Sequence, residues 1–208
     1  MTTLLKLDSS PMGQGSISRK LTAKFAETWL KSHPGGRVIE RDLTILNLPV
    51  LDASWVGAAH TPEASRTAAQ SNALAASDSL INDLEQADEY VFGVPMHNFS
   101  IPSTLKLWID QVVRAGKTFS YGATGAKGLL TGKKATLLLA SGGEYGKGSA
   151  MAPFDFLTPY LQKVLGFVGI TDVTIIAASG TAQLMSGNTD PQTFLAPSLE
   201  KVHAHASL

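Results

Sequence analysis

The chain has 208 residues, 44% of them apolar, with 17 basic and 17 acidic side chains and no cysteine. That length suits one domain, residues 1–208, around a buried core; the balanced charge speaks against nucleic-acid or anionic-membrane partners, and the lack of cysteine removes disulfides, thiolate nucleophiles and thiolate zinc sites. No apolar run reaches the about 18 residues of a membrane span, and "MTTLLKLDSS" carries no signal-peptide pattern, so a cytoplasmic protein is expected.

In chain order, Thr3–Leu7 reads as a short apolar strand. Residues 16–32 place Ile17, Leu21, Phe25 and Trp29 four apart, which predicts an amphipathic helix. Arg37–Asp42, after a Pro-Gly-Gly turn, reads as a second strand. A loop with Pro49 leads into an alanine-rich stretch, 62–86, expected to be one long helix. Glu89–Val94 is β-branched and aromatic, a buried strand. Pro102 opens a helix with Leu105, Trp108, Ile109, Val112 and Val113 on one face. The glycine-bearing segment 115–134 is long for a simple connection. Ala135–Ala140 predicts a fourth strand of the series, 154–168 a helix, Asp172–Ala177 a fifth strand, and 190–205 a last helix.

Five apolar strands separated by helices imply a parallel sheet covered on both faces. In such sheets ligands sit beyond the carboxyl ends of the strands. Three loops follow strand ends here, "SSPMGQGSIS", "PMHNFSIP" and "SGGEYGKG".

The first loop admits three readings. It has four serines and no lysine or arginine between residues 9 and 18, so a phosphate would be held by amides, hydroxyls and the positive end of the following helix. A P-loop is excluded by the lack of G-x-x-x-x-G-K-[ST]. A dinucleotide reading has Gly13, Gly15 and the acids Glu40 and Asp42 in its favour, and Ser18 in place of the third glycine against it. A serine-rich helix cap with no ligand would use the same residues.

The second and third loops carry more specific patterns. Ser9-Ser10 with Ser16-Ile17-Ser18, Pro95-Met96-His97-Asn98-Phe99, Leu105-Lys106 with Ile109-Asp110, Arg114-Ala115-Gly116, Thr118-Phe119 with Tyr121, Gly132-Lys133-Lys134, Ser141-Gly142-Gly143, Thr158-Pro159-Tyr160-Leu161 and residues 165–173 (LGFVGITDV) occur in one order. In these motifs the chain resembles, over nearly its whole length, the FMN-dependent NADH azoreductases, also described as NAD(P)H:quinone oxidoreductases. The resemblance implies a flavodoxin-like three-layer αβα sandwich with a five-stranded parallel sheet in the order 2-1-3-4-5. It also implies a homodimer that reduces quinones and azo compounds with NADH or NADPH by alternating two-electron half-reactions.

By the same resemblance, Ser10, Ser16, Ile17 and Ser18 hold the FMN phosphate. Pro95, Met96, His97, Asn98 and Phe99 line the isoalloxazine edge, and Ser141, Gly142 and Gly143 lie beneath the ring. Phe119 and Tyr121 help roof the substrate site, often across a dimer interface. Two positions depart from the family pattern: His97 stands where tyrosine is common, and Ser141 where arginine is.

The residues themselves point the same way. A flat ring needs an apolar wall, which Met96 and Phe99 supply, and a backbone close enough to donate, which Gly142 and Gly143 allow. Each also has a plainer reading, as core filler, strand-end turn or hairpin packing. Asp110 and Arg114 read as surface or packing residues, and His203 with His205 make too small a set for a metal. No catalytic side chain is expected, since the cofactor carries the chemistry. The rivals are a flavodoxin-type electron carrier, which zero net charge disfavours, a Rossmann dehydrogenase, and a flavin-binding protein without turnover.

Overall fold

The structure, a computed structural model, describes residues 2–187 and 189–208. The strands β1 (Thr3–Asp8), β2 (Arg37–Asp42), β3 (Glu89–Pro95), β6 (Lys134–Ala140) and β7 (Asp172–Ala178) form one parallel sheet in the order β2-β1-β3-β6-β7. Counting only these five strands, the order is 2-1-3-4-5, as expected. The remaining pair, β4 (Phe119–Gly122) and β5 (Gly125–Gly128), is an antiparallel hairpin apart from the sheet.

Alternation along the central strands assigns the two faces. Leu4, Val91, Leu138 and Ile176 face α1 (Ile17–Ser32) and α6 (Pro191–Ala206), where Leu21, Phe25, Trp29, Leu195 and Val202 close the first core. Leu5, Leu7, Phe92, Leu137 and Leu139 face the other way, onto α3 (Ala68–Gln86), α4 (Ser103–Val112) and α5 (Leu157–Val168). Both sides of β1, β3 and β6 are thus buried, which is why their sequences read as continuous apolar runs.

Helix boundaries shift for local reasons. The stretch 62–86 is not one helix. A separate helix, α2 (Ala53–His60), precedes it, capped by the Asp52 carboxylate accepting from the Trp55 amide at 2.8 Å. A single turn at Glu63–Ser65 follows, and α3 begins only after Thr67, whose hydroxyl and Gln70 form a reciprocal capping box. Similarly, α5 begins at Leu157 rather than 154, because Asp155 accepts from the amides of Leu157 and Thr158 at 3.0 and 2.9 Å.

Polar side chains knit α2, α3 and α4 together. Trp55 donates its indole N–H to Gln111 Oε1 at 2.9 Å, and Ser77 donates to the Gln111 carbonyl at 2.6 Å. Arg114 is a packing residue, 3% exposed, donating to Ser77 at 2.7 Å and paired with Asp78. Asp110 forms a surface i,i+4 ion pair with Lys106.

Candidate functional site

The three loops meet at the carboxyl ends of β1, β3 and β6. Ser9 ties the first to the middle strand, its amide and hydroxyl both donating to the Gly93 carbonyl at 3.1 and 2.8 Å. The Met96 amide donates to the Ala140 carbonyl at 2.7 Å and joins the second loop to the third.

In the first loop, Ser16 is the N-cap of α1, its hydroxyl accepting from the Arg19 amide at 3.2 Å and lying 3.1 Å from that of Ser18. The amides of Ile17 and Ser18 have no acceptor among the described residues, as befits the first turn of a helix. With the hydroxyls of Ser10 and Ser16 beside them, these donors form a cradle for an anion at the positive end of α1. Ser10, Ser16 and Ser18 are all buried, and the Ser18 hydroxyl lies against that of Ser16.

One cation lies just outside this loop, and it is already used. Arg19 donates twice to the Ser10 carbonyl, at 2.9 and 2.7 Å, and grips Asp42 with two further bonds of 2.7 Å. Asp42 also accepts from the Thr44 amide and hydroxyl at 3.0 and 2.7 Å. The Arg19 bond, more than any other influence, holds the Asp42 carboxyl at about 2 instead of 3.8. Asp42 is therefore committed to locking the loop to β2 and is not a ribose ligand. Glu40 points out beside Lys6, at 3.4 Å.

This coupling predicts an acid-sensitive contribution to stability. A carboxyl depressed in the folded state contributes stability above its unfolded pKa and loses it as pH falls toward the folded one. Asp42→Asn should cost about 1 kcal/mol at pH 7, allowing for solvent screening of a partly exposed pair. The gap between variant and wild type should close between pH 4 and pH 2, the window set by the Asp42 shift; melting temperatures measured across that range check it.

The second loop is a two-residue reversal. His97 and Ser100 exchange amide–carbonyl bonds at 2.9 and 3.0 Å, and Asn98 and Phe99 between them have φ of 48° and 71°. Both central residues at positive φ make a type I′ turn, whose second position normally holds glycine. A phenylalanine there carries about 1–2 kcal/mol of backbone strain, and strain of this kind gathers at working sites. The amides of Asn98 and Phe99 have no acceptor among the described residues. Pro95 ends β3, Met96 is half-buried against the core, and the exposed His97 side chain lines a groove of about 970 Å³ with Tyr160 and Lys163.

In the third loop the carbonyls of Ser141, Gly142 and Gly143 accept from the amides of Thr181, Ala182 and Gly180 at 3.0, 3.1 and 3.2 Å. In a trans peptide the N–H points opposite to the C=O. The amides of Gly142, Gly143 and Glu144 are therefore turned away from residues 180–182, and none has an acceptor among the described residues. The Ser141 hydroxyl, donating to the Gly143 carbonyl at 2.9 Å, shapes this turn from within.

Phe119 and Tyr121 are not brought to these loops within the chain. The hairpin packs at the carboxyl end of α5, where the Leu130 amide donates to the Val168 carbonyl at 2.9 Å, and the Phe119 ring lies tilted against that of Phe167 with centres 4.7 Å apart. Because α5 runs antiparallel to the strands, that end lies beside the strand starts. Tyr121, edge-on to Phe119 at 5.4 Å, is 75% exposed. His203 and His205 diverge, one toward Thr28 and one toward Thr136, and no metal-binding cluster occurs among the described residues.

The sheet order, with open amides gathered at the strand ends, defines a flavodoxin-like α/β protein. The profile of the flavodoxin-like fold family matches residues 2–205. An FMN-dependent NADH:quinone oxidoreductase of Acidobacterium capsulatum is 52% identical over 207 residues, covering 100% of both chains. An azoreductase of Bacillus anthracis superposes with a TM-score of 0.89 at 29% identity, covering 100% of this chain and 99% of that one. An FMN-dependent NADH-azoreductase of the same organism, solved in complex with FMN, gives 0.88 at 27% identity over 100% and 98%. The chain belongs to the flavodoxin-like family of FMN-dependent NADH:quinone oxidoreductases.

Proposed function

We propose that this chain is an FMN-dependent oxidoreductase that uses NADH or NADPH to reduce quinones and to cleave aromatic azo compounds. The observation that carries this reading is the set of unsatisfied amides gathered at three strand ends beside the serines of the first loop. Backbone donors gathered in this way suit a partner rich in acceptors, and FMN matches them with a dianionic phosphate at one end and a carbonyl-edged ring at the other.

On this reading the Ile17 and Ser18 amides and the Ser10 and Ser16 hydroxyls bind the phosphate. Ser18 orients Ser16, and Arg19 holds the Ser10 backbone in place. Met96 and Phe99 supply an apolar wall, while the amides of Asn98, Phe99, Gly142 and Gly143 are the donors for the ring's polar edge. When bound, FMN supplies two-electron chemistry that side chains cannot. The protein's part is to orient the nicotinamide and the acceptor, which take turns at one apolar face, and to keep water from it. The hairpin aromatics Phe119 and Tyr121 reach such a face only from a second copy, which favours a homodimer. No helix among the described residues is long and apolar enough to cross a membrane.

A Cβ added at Gly142 meets only Ala182 Cβ, at 3.8 Å, so a larger residue fits the folded chain. Gly142→Val should therefore fold normally yet weaken FMN binding by on the order of a hundredfold. A flavin fluorescence titration checks this, and wild-type affinity in the variant would overturn the placement of the loop. Bleaching of the bound flavin's 450 nm band (approximate, a general flavin property) by NADH, with reoxidation by a quinone, tests turnover; colour without bleaching would indicate a carrier or binding protein instead.

A further inference from the structure

We propose that Tyr145 and Phe154 are positioning residues for Phe99, and that this three-ring clamp sets how long the flavin stays bound. The inference rests on the FMN reading above. Among the described residues, the segment 145–155 makes all its hydrogen bonds locally. The Ser149 amide and hydroxyl bond to Gly146 and Glu144, the Ala152, Phe154 and Asp155 amides donate to carbonyls three residues back, and the Asp155 carboxylate accepts from the amides of Leu157 and Thr158. Beneath the segment lies a pocket of about 250 Å³ reaching Met96, Ser141 and Thr158, so the arch is not packed solid from below.

What joins this arch to the middle loop is Phe99. Its ring lies edge-on to Tyr145 at 6.3 Å and tilted against Phe154 at 5.4 Å, and its carbonyl accepts from the Phe156 amide at 3.1 Å. Offset and edge-on ring pairs of this kind add attraction beyond burial. The same residue holds the unfavourable positive φ of the reversal, where glycine would be free of strain. Glycine would keep the main-chain bond to the Phe156 amide but would leave the turn, with its open Asn98 and Phe99 amides, without the ring contacts to Tyr145 and Phe154. The aromatic ring keeps that turn, and the donors on it, fastened to the arch. Loosening the arch therefore loosens the grip on the flavin without touching the phosphate cradle.

The test uses the full chain loaded with FMN and follows flavin release by its fluorescence after dilution. Phe154→Ala should speed release about tenfold, with an unchanged far-UV spectrum, while Phe154→Tyr should keep the wild-type rate. Tyr145→Ala reads the same clamp through the other ring. Phe99→Gly should release flavin at least as fast as Phe154→Ala. The Phe99→Gly/Phe154→Ala double variant should be no faster than the faster single, as expected of residues acting as one unit. A wild-type release rate in Phe154→Ala, or multiplying effects in the double variant, overturns the clamp. A wild-type chain that takes up no FMN overturns the functional reading and the clamp with it; tight wild-type binding with unchanged variant rates overturns the clamp alone.

Discussion

Gly93→Val is expected to lower the melting temperature by roughly 6–12 °C and to abolish FMN retention together. Gly93 lies in β3, where the strand passes beneath the start of α1. A Cβ there would sit 2.8 Å from both Asp8 Oδ1 and Thr22 Cγ2 and 3.2 Å from the Ser18 carbonyl oxygen. None of these can step aside cheaply. Asp8 is buried, accepts from the Thr22 hydroxyl at 2.7 Å and pairs with Lys6 at 3.3 Å; Ser18 is part of the helix backbone. Overpacking such a site costs on the order of 3 kcal/mol, and a chain of this size loses about 2–4 °C per kcal/mol. The displaced turn is the one bearing the open Ile17 and Ser18 amides, so the anion cradle is lost as the helix end lifts. Thermal melting and flavin titration on one sample check both effects. A variant that melts like the wild type, or that melts early but keeps its flavin, contradicts the coupling.

Gly128→Ala should destabilise the chain by a different route, at a cost of about 3 kcal/mol or more. Its Cβ would overlap the backbone of Val168 and Gly169 and lie 2.5 Å from Gly169 Cα. The clash is backbone on backbone, with no flexible side chain to absorb it, at the point where the β4–β5 hairpin docks on the end of α5. The expected result is an undocked hairpin, seen as a lower melting temperature and as faster tryptic cleavage at the exposed Lys127. If the hairpin's aromatics complete the active site of a second copy, quinone reduction should fall more than FMN affinity does. Equal losses of the two would argue against that placement.

The close approach of helix and strand at the first loop shows where sequence reading works and where it stops. In a dinucleotide fold the glycine that permits this approach belongs to the helix, and Ser18 stands in its place. Here the space is provided from the other partner, Gly93, some 75 residues away in sequence. No local pattern announces that exchange. The same holds for Arg19 and Asp42, which look like a helix-surface cation and a strand-end acid until folding turns Arg19 onto both Asp42 and the Ser10 carbonyl. Tyr145 and Phe154 gain their meaning only through Phe99, and Phe119 with Tyr121 lose theirs within a single chain because α5 carries the hairpin to the far end of the strands.

Five short, continuously apolar runs separated by helices determined the parallel sheet and its two covered faces, because a strand's side chains point to opposite sides and both sides here must be buried. Asp52, Thr67 and Asp190 cap the starts of α2, α3 and α6, and Asp155 accepts from the first amides of α5, so those helices begin at these residues rather than where the helix-forming composition begins. The serine, MHNFS and SGG loops were legible as the place of function, since they follow strand ends. What only the tertiary structure decided is which backbone amides remain open and which are consumed. That depends on the direction of each carbonyl, and a carbonyl's direction is set by partners distant in sequence, as Gly180, Thr181 and Ala182 set those of Gly143, Ser141 and Gly142.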